Sequence, residues 1–160
     1  MTRRMGIIAL SLCVFGLSAR AADDPQVGLW NLDVAKSHFV TATAPRSTVV
    51  TVTPFGKDGV NLIVDTVTAK GEKVQIKYAV QFDGKPYPRT ETGPGAIAGQ
   101  TVVLKRVGAR GVERVVYLAG KAVGTEVWTI SADGKTRTVV QSGTDAQGKS
   151  IDNTLVYARQ

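Results

Sequence analysis

The sequence predicts an all-β protein, an antiparallel up-and-down meander that closes into a lipocalin-like barrel of about 8–10 strands. Two observations lead to this prediction. Apolar and polar residues alternate with a period of two along most of the chain, which is rich in Val and Thr. Tight-turn dipeptides separate the alternating segments, the strongest being Asp58-Gly59, Asp83-Gly84 and Asp133-Gly134. Short links make sequential strands antiparallel neighbours, and closure removes the exposed edges of a long meander.

Residues 1–21 have the order of parts found in a cleavable signal peptide. A short basic start precedes residues 6–19, which are almost entirely apolar or small, and Ala19-Arg20-Ala21 matches an A-x-A cleavage pattern. We therefore expect an N-terminal signal helix, cleavage between Ala21 and Ala22, and export to the periplasm or the cell exterior. The apolar run is shorter than the roughly 20 residues that a spanning helix needs, so no stable membrane span is expected.

Removal of this segment leaves residues 22–160, a length that suits a single domain. The net charge falls from +7 to +4, and the only cysteine, Cys13, is lost. Without disulfides, the shape must depend on strand pairing and a core. The remaining basic residues are scattered, and the densest group, which we expect to be a solvated surface near one hairpin, gives no reason to expect nucleic-acid binding; it comprises Lys105, Arg106, Arg110 and Arg114.

The alternation predicts nine strands, at residues 27–33, 47–54, 60–68, 73–82, 101–107, 112–119, 123–131, 135–143 and 150–158. In the clearest strand, 73–82, one face is apolar and the other is mostly polar, so one face is expected to be buried and the other wet. Its apolar face comprises Val74, Ile76, Tyr78, Val80 and Phe82.

Two segments interrupt the alternation. Residues 34–46 have room for one short helix before Pro45. Residues 83–100 are rich in Gly and Pro, and they form a long connection for a hairpin. This connection is either a functional loop or a plain connector, with Tyr87 to Thr90 pairing briefly as a sheet edge.

The two ends of the chain carry motifs that resemble those of a known family. The first strand contains Gly28-Leu29-Trp30, and the last contains Tyr157-Ala158-Arg159. This combination resembles the calycins, the lipocalin and fatty-acid-binding barrels. The longer opening, with Asp33 and Lys36-Ser37, is also similar to a group of small, functionally unassigned exported bacterial proteins that begin Gly-x-Trp-x-Leu-(Asn/Asp)-x-x-Lys-Ser. The resemblance implies that Arg159 packs across the ring of Trp30.

The last strand departs from the pattern of fatty-acid-binding proteins at one position. Fatty-acid-binding proteins hold the ligand carboxylate with an Arg-x-Tyr pattern on the last strand. The matching positions here are Leu155 and Tyr157, so the tyrosine is present and the arginine is absent. The last strand therefore does not predict a carboxylate site of that type.

The residues predict no catalytic site, metal site or cofactor. The single histidine, His38, cannot form a metal cluster alone and is expected on a surface turn. Two carboxylate pairs would suit acid–base chemistry if they were buried, Asp65 with Glu72 and Glu113 with Glu126. On alternating strands with basic neighbours, all four are expected to face solvent.

The leading functional prediction is a non-catalytic barrel that binds a small apolar or amphipathic molecule, held mainly by burial. The expected interior residues are Ile76, Tyr78, Phe82, Leu155 and Tyr157, whereas the inner face of the strand that carries Trp128 is left open. The alternative is a β-rich envelope interaction module with a filled core and no ligand, contacting its partner through residues 83–100. The sequence decides neither the ligand's identity nor the oligomeric state.

Overall fold

The computed structural model describes residues 24–40, 42–144 and 148–160, which form one antiparallel sheet that closes almost completely into a barrel. The expected signal helix and the cleavage positions Ala21 and Ala22 lie outside these residues. The nine predicted strands are all present; they are β1 (Gly28–Leu32), β3 (Ser47–Pro54), β4 (Gly59–Val67), β5 (Lys73–Gln81), β8 (Gln100–Val107), β9 (Gly111–Leu118), β10 (Lys121–Ile130), β11 (Thr136–Thr144) and β12 (Ser150–Arg159). This architecture confirms the all-β barrel and is compatible with a calycin-like fold.

Three short strands complete the sheet: β2 (His38–Phe39), β6 (Tyr87–Pro88) and β7 (Thr90–Thr92). The strand order is β6-β8-β9-β10-β11-β12-β1-β3-β4-β5-β7, and β2 pairs with β12. The first and last long strands are thus neighbours, with Trp30 opposite Arg159. The expectation of a short helix after β1 is wrong, because the described part of 34–46 contains a single 3-10 turn, Val34–Lys36, before the chain pairs with β12.

The seam of the barrel lies between β5 and β8, and the segment 83–92 bridges it. The backbone N–H of Arg89 donates to the carbonyl of Gln100 on one side at 3.0 Å. The hydroxyl of Thr90 donates to the carbonyl of Lys77 on the other side at 3.2 Å. The Gly- and Pro-rich connection is therefore part of the wall and not only a link between two strands.

Apolar side chains fill one end of the barrel, where β4 and β9 begin and β5 and β10 end. They are at most 2% exposed; the group comprises Trp30, Val52, Val60, Val80, Leu104, Val112 and Ile130. We call this group the packed end. Burial of such side chains contributes roughly 1.5–3 kcal/mol each, so the packed end is a main source of stability.

Arg159 covers the packed end. Its guanidinium carbon lies 4.2 Å from the centroid of the Trp30 ring. The same guanidinium donates to the carbonyls of Pro25 and Val27 at 2.7 and 2.6 Å. A side chain on Gly28 would meet Arg159 Nη1 at 2.6 Å, and the φ of Gly28 is +143°. This positive φ, which glycine adopts without strain, therefore favours the glycine of the opening motif.

Candidate functional site

The other half of the barrel interior encloses a cavity of about 340 Å³. It lies towards the end where β4, β9 and β11 finish and where β5, β10 and β12 begin. Four of the five residues expected in the interior line it, namely Ile76, Tyr78, Leu155 and Tyr157. This volume is at the lower end of the range for small-molecule pockets, roughly 300–1,000 Å³.

Phe82, the fifth expected interior residue, is not among the residues that line this cavity. It follows the last residue of β5 and packs against the core at the opposite end of the strand from Ile76. Arg106 covers its ring, with 3.9 Å between the guanidinium carbon and the ring centroid. The alternation of β5 gave the right face, but Phe82 lies too close to the packed end to reach the cavity.

A row of hydrogen-bonded polar side chains crosses the barrel wall from β9 to β12, and its members on β9, β10 and β11 line the cavity. It comprises Arg114, Glu126, Gln141 and Asn153, which are successive partners across the β9–β12 ladders, and we call it the polar row. Arg114 forms an ion pair with Glu126. Gln141 donates to Glu126 at 2.8 Å, and Asn153 donates to Gln141 at 3.2 Å.

Both ends of the polar row reach other elements. Arg114 Nη1 donates to the hydroxyl of Tyr78 on β5 at 3.3 Å, across the barrel interior. At the other end, Asn153 accepts from the backbone N–H of Val40 at 3.1 Å. Trp128 Nε1 also donates to Glu126, at 2.7 Å. Because its members bond one another, the polar row forms a fixed polar surface within the cavity.

A β-bulge turns these residues inward. The register of the β9–β10 ladder shifts by one residue between Ala122 and Gly124. Because side chains alternate faces with a period of two, a one-residue shift exchanges the two faces of a strand. The bulge therefore places Glu126 and Trp128 on the inner face beside Arg114. This also settles the inner face of β10, which the sequence left open.

Arg137 lies beside the polar row and is the least satisfied charged group in the cavity. It is 3% exposed, and its guanidinium carbon lies 4.2 Å from the centroid of the Trp128 ring. Its Nε and Nη1 atoms have no hydrogen-bond partner among the described residues. Arg137 is directly opposite Tyr157 in the β11–β12 ladder. An arginine and a tyrosine thus lie side by side on the cavity wall, although they come from two strands.

A second charged pair lines the cavity at the seam. Arg89 Nη2 lies 3.2 Å from Glu91 Oε2, and both side chains are mostly buried. Among the described residues, the cavity lining contains three guanidinium groups and two carboxylates. The guanidinium groups belong to Arg89, Arg114 and Arg137, and the carboxylates belong to Glu91 and Glu126. The cavity wall therefore carries an excess of one positive charge.

Burial and neighbouring charges shift the pKa values of Glu126 and Arg114 in opposite directions. Burial would raise the pKa of Glu126, but the charge of Arg114 and the hydrogen bonds from Trp128 and Gln141 hold this pKa below its ordinary value. Burial would lower the pKa of Arg114, but the charge of Glu126 holds it above its ordinary value. Both groups are therefore ionised at neutral pH.

The pKa values of Arg137 and Tyr157 are shifted mainly by burial. Burial lowers the pKa of Arg137 and raises the pKa of Tyr157 to about 12. A guanidinium stays protonated in proteins, so at neutral pH Arg137 is charged and Tyr157 is neutral. Both groups can then donate hydrogen bonds to one acceptor. The arrangement suits an anionic group, which would match the excess positive charge of the wall.

Two expectations about charge were wrong. Arg114 is buried, and so it does not belong to a solvated surface group. Glu126 is also within the interior, and it is opposite Arg114, while Glu113 is opposite Val127 on the outer face. The two glutamates therefore do not form a pair. The expected aliphatic lining is likewise only half right, because a polar surface accompanies the aliphatic residues.

The other candidate residues lie outside the cavity. Asp65 accepts from Gln75 at 2.6 Å on the exterior, and Glu72 is in the β4–β5 turn. His38 is exposed on β2. The residues that the structure describes contain no group of three or more His, Cys, Asp or Glu placed to hold a metal ion.

A second cavity of about 430 Å³ adjoins the first at the end of the barrel opposite the packed end, which we call the open end. Thr66, Gln141 and Leu155 line both, and the outer part of the second is lined by Phe39 and Pro45, among others. The second cavity therefore lies on the side of the interior cavity that faces β2 and the β4–β5 turn.

Comparisons of the chain with protein-family models, curated protein sequences and solved structures find no match. Within the described chain, no helix is both long enough and apolar enough to cross a membrane. The cavity and the side chains that line it are therefore the features from which a function can be inferred.

Proposed function

We propose that this chain is an exported, non-catalytic binding protein whose barrel holds a small amphipathic molecule that carries an acid group. In this proposal the acid lies against Arg137 and Tyr157, and the apolar part points towards the open end. The observation that carries the proposal is Arg137, a buried guanidinium with unpartnered nitrogens on the wall of a cavity.

The buried charge of Arg137 has no ionised partner among the described residues, and this arrangement has an energetic cost. An ionised group removed from water without a partner is strongly destabilising. Glu126 does not neutralise Arg137, because it already pairs with Arg114 and accepts bonds from Trp128 and Gln141. An acid group on the ligand would supply the missing partner, and a hydrogen bond to a charged group contributes about 1.5–3 kcal/mol.

The remaining lining supports an apolar tail. Around the polar surface the cavity is lined by aliphatic side chains that include Val64, Val116, Val123 and Ile151. Burial of apolar ligand surface against them contributes roughly 25 cal/mol per Å². The resemblance to fatty-acid-binding proteins also supports a ligand whose acid group lies against Arg137 and Tyr157. The arginine absent at Leu155 has a counterpart in Arg137, opposite Tyr157 on the neighbouring strand.

The test is a calorimetric titration with three probes of equal chain length: dodecanoate, dodecanol and dodecyltrimethylammonium. We expect dodecanoate to bind most tightly, dodecanol at least tenfold more weakly, and the cation most weakly, because the wall is positively charged. The control is Gly124→Leu. A side chain there would meet only Ile151 Cδ1, at 3.7 Å, and would otherwise extend into the cavity. It should abolish binding while the protein stays folded.

A β-rich interaction module with a filled core is the second candidate. Val127 and Val140 favour it, because they are opposite each other on the outer face and are 39% and 45% exposed. A module of that kind needs no cavity, and the same titration separates the two candidates. Binding of none of the three probes would support the interaction module.

A further inference from the structure

A second group of buried, incompletely bonded side chains lines the cavity at the seam. Arg89 lies between β6 and β7, and Gln100 begins β8. The backbone N–H of Arg89 donates to the carbonyl of Gln100 at 3.0 Å, so the two residues are direct neighbours across the seam. Both side chains line the same cavity as Arg137.

These two side chains are built into the wall and do not belong to a solvated surface. The side chain of Arg89 is 9% exposed, and Gln100 is 6% exposed. Arg89 Nε and Gln100 Oε1 both lack a hydrogen-bond partner among the described residues. Buried polar atoms in folded proteins are normally bonded, so such a pair of unpartnered atoms needs an explanation.

The chemistry of the two atoms restricts what can satisfy both. Arg89 Nε–H can only donate, and Gln100 Oε1 can only accept. A second carboxylate on the ligand would leave Gln100 unsatisfied and would meet Glu91, whose Oε2 lies 3.2 Å from Arg89. A cationic group would meet the guanidinium itself. A hydroxyl both accepts and donates, and it adds no charge.

We therefore propose that the ligand is a hydroxylated amphipathic acid, whose hydroxyl is bound by Arg89 Nε and Gln100 Oε1 at the seam. This inference rests on the proposed function, since it places a second polar group on the molecule whose acid is held by Arg137. It also assigns a binding role to the Gly- and Pro-rich connection.

The experiment compares dodecanoate with its positional isomers that carry one hydroxyl at carbons 3 to 12, by calorimetry on the intact protein. At least one isomer should bind about tenfold more tightly than dodecanoate, the factor that one hydrogen bond to a charged group supplies. The gain, measured within each variant as the ratio of isomer affinity to dodecanoate affinity, should disappear in Gln100→Met and in the charge-neutral double variant Arg89→Met/Glu91→Gln. Gln75→Met, the same change on the outer face, should keep the gain.

Each outcome decides between the two proposals. If dodecanoate binds and no isomer binds more tightly, the hydroxyl site is wrong and the acid site stands. If the gain survives both seam variants, the hydroxyl lies elsewhere and this inference is overturned. If neither dodecanoate nor any isomer binds, the proposed function fails, and this inference fails with it. Urea unfolding of the seam variants shows whether the barrel has remained folded.

Discussion

At the scale of single residues, Arg137 and Glu126 carry the account. Arg137 is charged, buried and incompletely bonded, whereas the charge of Glu126 is satisfied by Arg114 and two hydrogen-bond donors. A protein that needed only stability would gain nothing from the first arrangement, because apolar side chains of similar volume often replace buried charges without loss. The two residues should therefore respond in opposite ways to substitution.

Arg137→Met should weaken dodecanoate binding by about 10–100-fold and leave the unliganded protein no less stable. The binding loss corresponds to roughly 1.5–3 kcal/mol of hydrogen bonding to a charged group. Stability is kept because methionine fills similar space beside Trp128 without a buried charge. Calorimetry and urea unfolding measure the two effects. Arg110→Met, at an exposed position, is the control. A large loss of stability without a change in affinity would make Arg137 structural.

Glu126→Gln should destabilise the protein by about 3–5 kcal/mol at pH 7, because it leaves Arg114 buried without a carboxylate. The pKa of Glu126 is lowered by folding. Its contribution to stability is therefore complete above the unfolded glutamate value of about 4.3 and is lost as the pH falls through the lower folded value. The stability difference from the parent should narrow below about pH 4. Glu113→Gln, on the outer face, should change stability by less than about 0.5 kcal/mol.

Sequence alternation could place some of these residues but not others. It identified Tyr78 because the opposite face of β5 is clearly polar. In β11, Thr136 to Gln141 offer apolar residues on both faces, so alternation alone does not show where Arg137 points. The face of β10 that carries Glu126 was harder still to predict, because it depends on a β-bulge. Nothing in the letters Ala122-Val123-Gly124 specifies which residue is extra.

At the scale of elements, the hairpins explain why the strands were predictable and their register was not. The nine long strands lie within two residues of their predicted bounds because each is delimited by turn residues. Predicting the register of the strands requires the conformation of every turn and the position of each irregularity between strands. The pairing considered for Tyr87 to Thr90 is present in β6 and at the start of β7. Alternation could not set the bounds of these strands, since a two- or three-residue strand has no period to detect.

The β9–β10 turn gives a test at this scale. Ala119 and Gly120 both have positive φ, at 48° and 78°, and Ala119 is the only non-glycine residue with positive φ in the described chain. Asparagine tolerates this region better than alanine, and Asn-Gly is favoured in such two-residue turns. Ala119→Asn should raise the free energy of unfolding by about 0.5–1 kcal/mol, whereas Ala119→Val should lower it by at least about 1 kcal/mol. Urea denaturation of both variants measures the difference, and equal stabilities would contradict the turn conformation.

At the scale of the whole molecule, the barrel divides into a packed end and a hollow end. Trp30, Leu104 and their neighbours supply the stability, and Arg159 closes that end over the Trp30 ring. This division allows the other half to hold a cavity and an unpaired guanidinium without unfolding. The Trp30–Arg159 pair that the resemblance to calycins implies lies at the packed end, so that pair says little about the ligand.

The whole cavity should bind dodecanoate with a nearly constant affinity between pH 6 and about pH 10. Arg137 remains charged, and the pKa of Tyr157 is raised to about 12, so neither group titrates in this range. Affinity should fall below about pH 5, where the ligand carboxylate gains a proton and its charge is lost. Calorimetry at one-unit pH steps tests this. A tenfold change in affinity between pH 6 and pH 8 would contradict the acid site at Arg137 and Tyr157.

The most direct measurement is a crystal structure of the protein with dodecanoate bound. We predict that the carboxylate lies within hydrogen-bond distance of Arg137 and Tyr157, with the alkyl chain directed towards the open end between β2 and the β4–β5 turn. A carboxylate at the mouth in contact with solvent, or an empty cavity with the ligand on the outer face, would contradict the account.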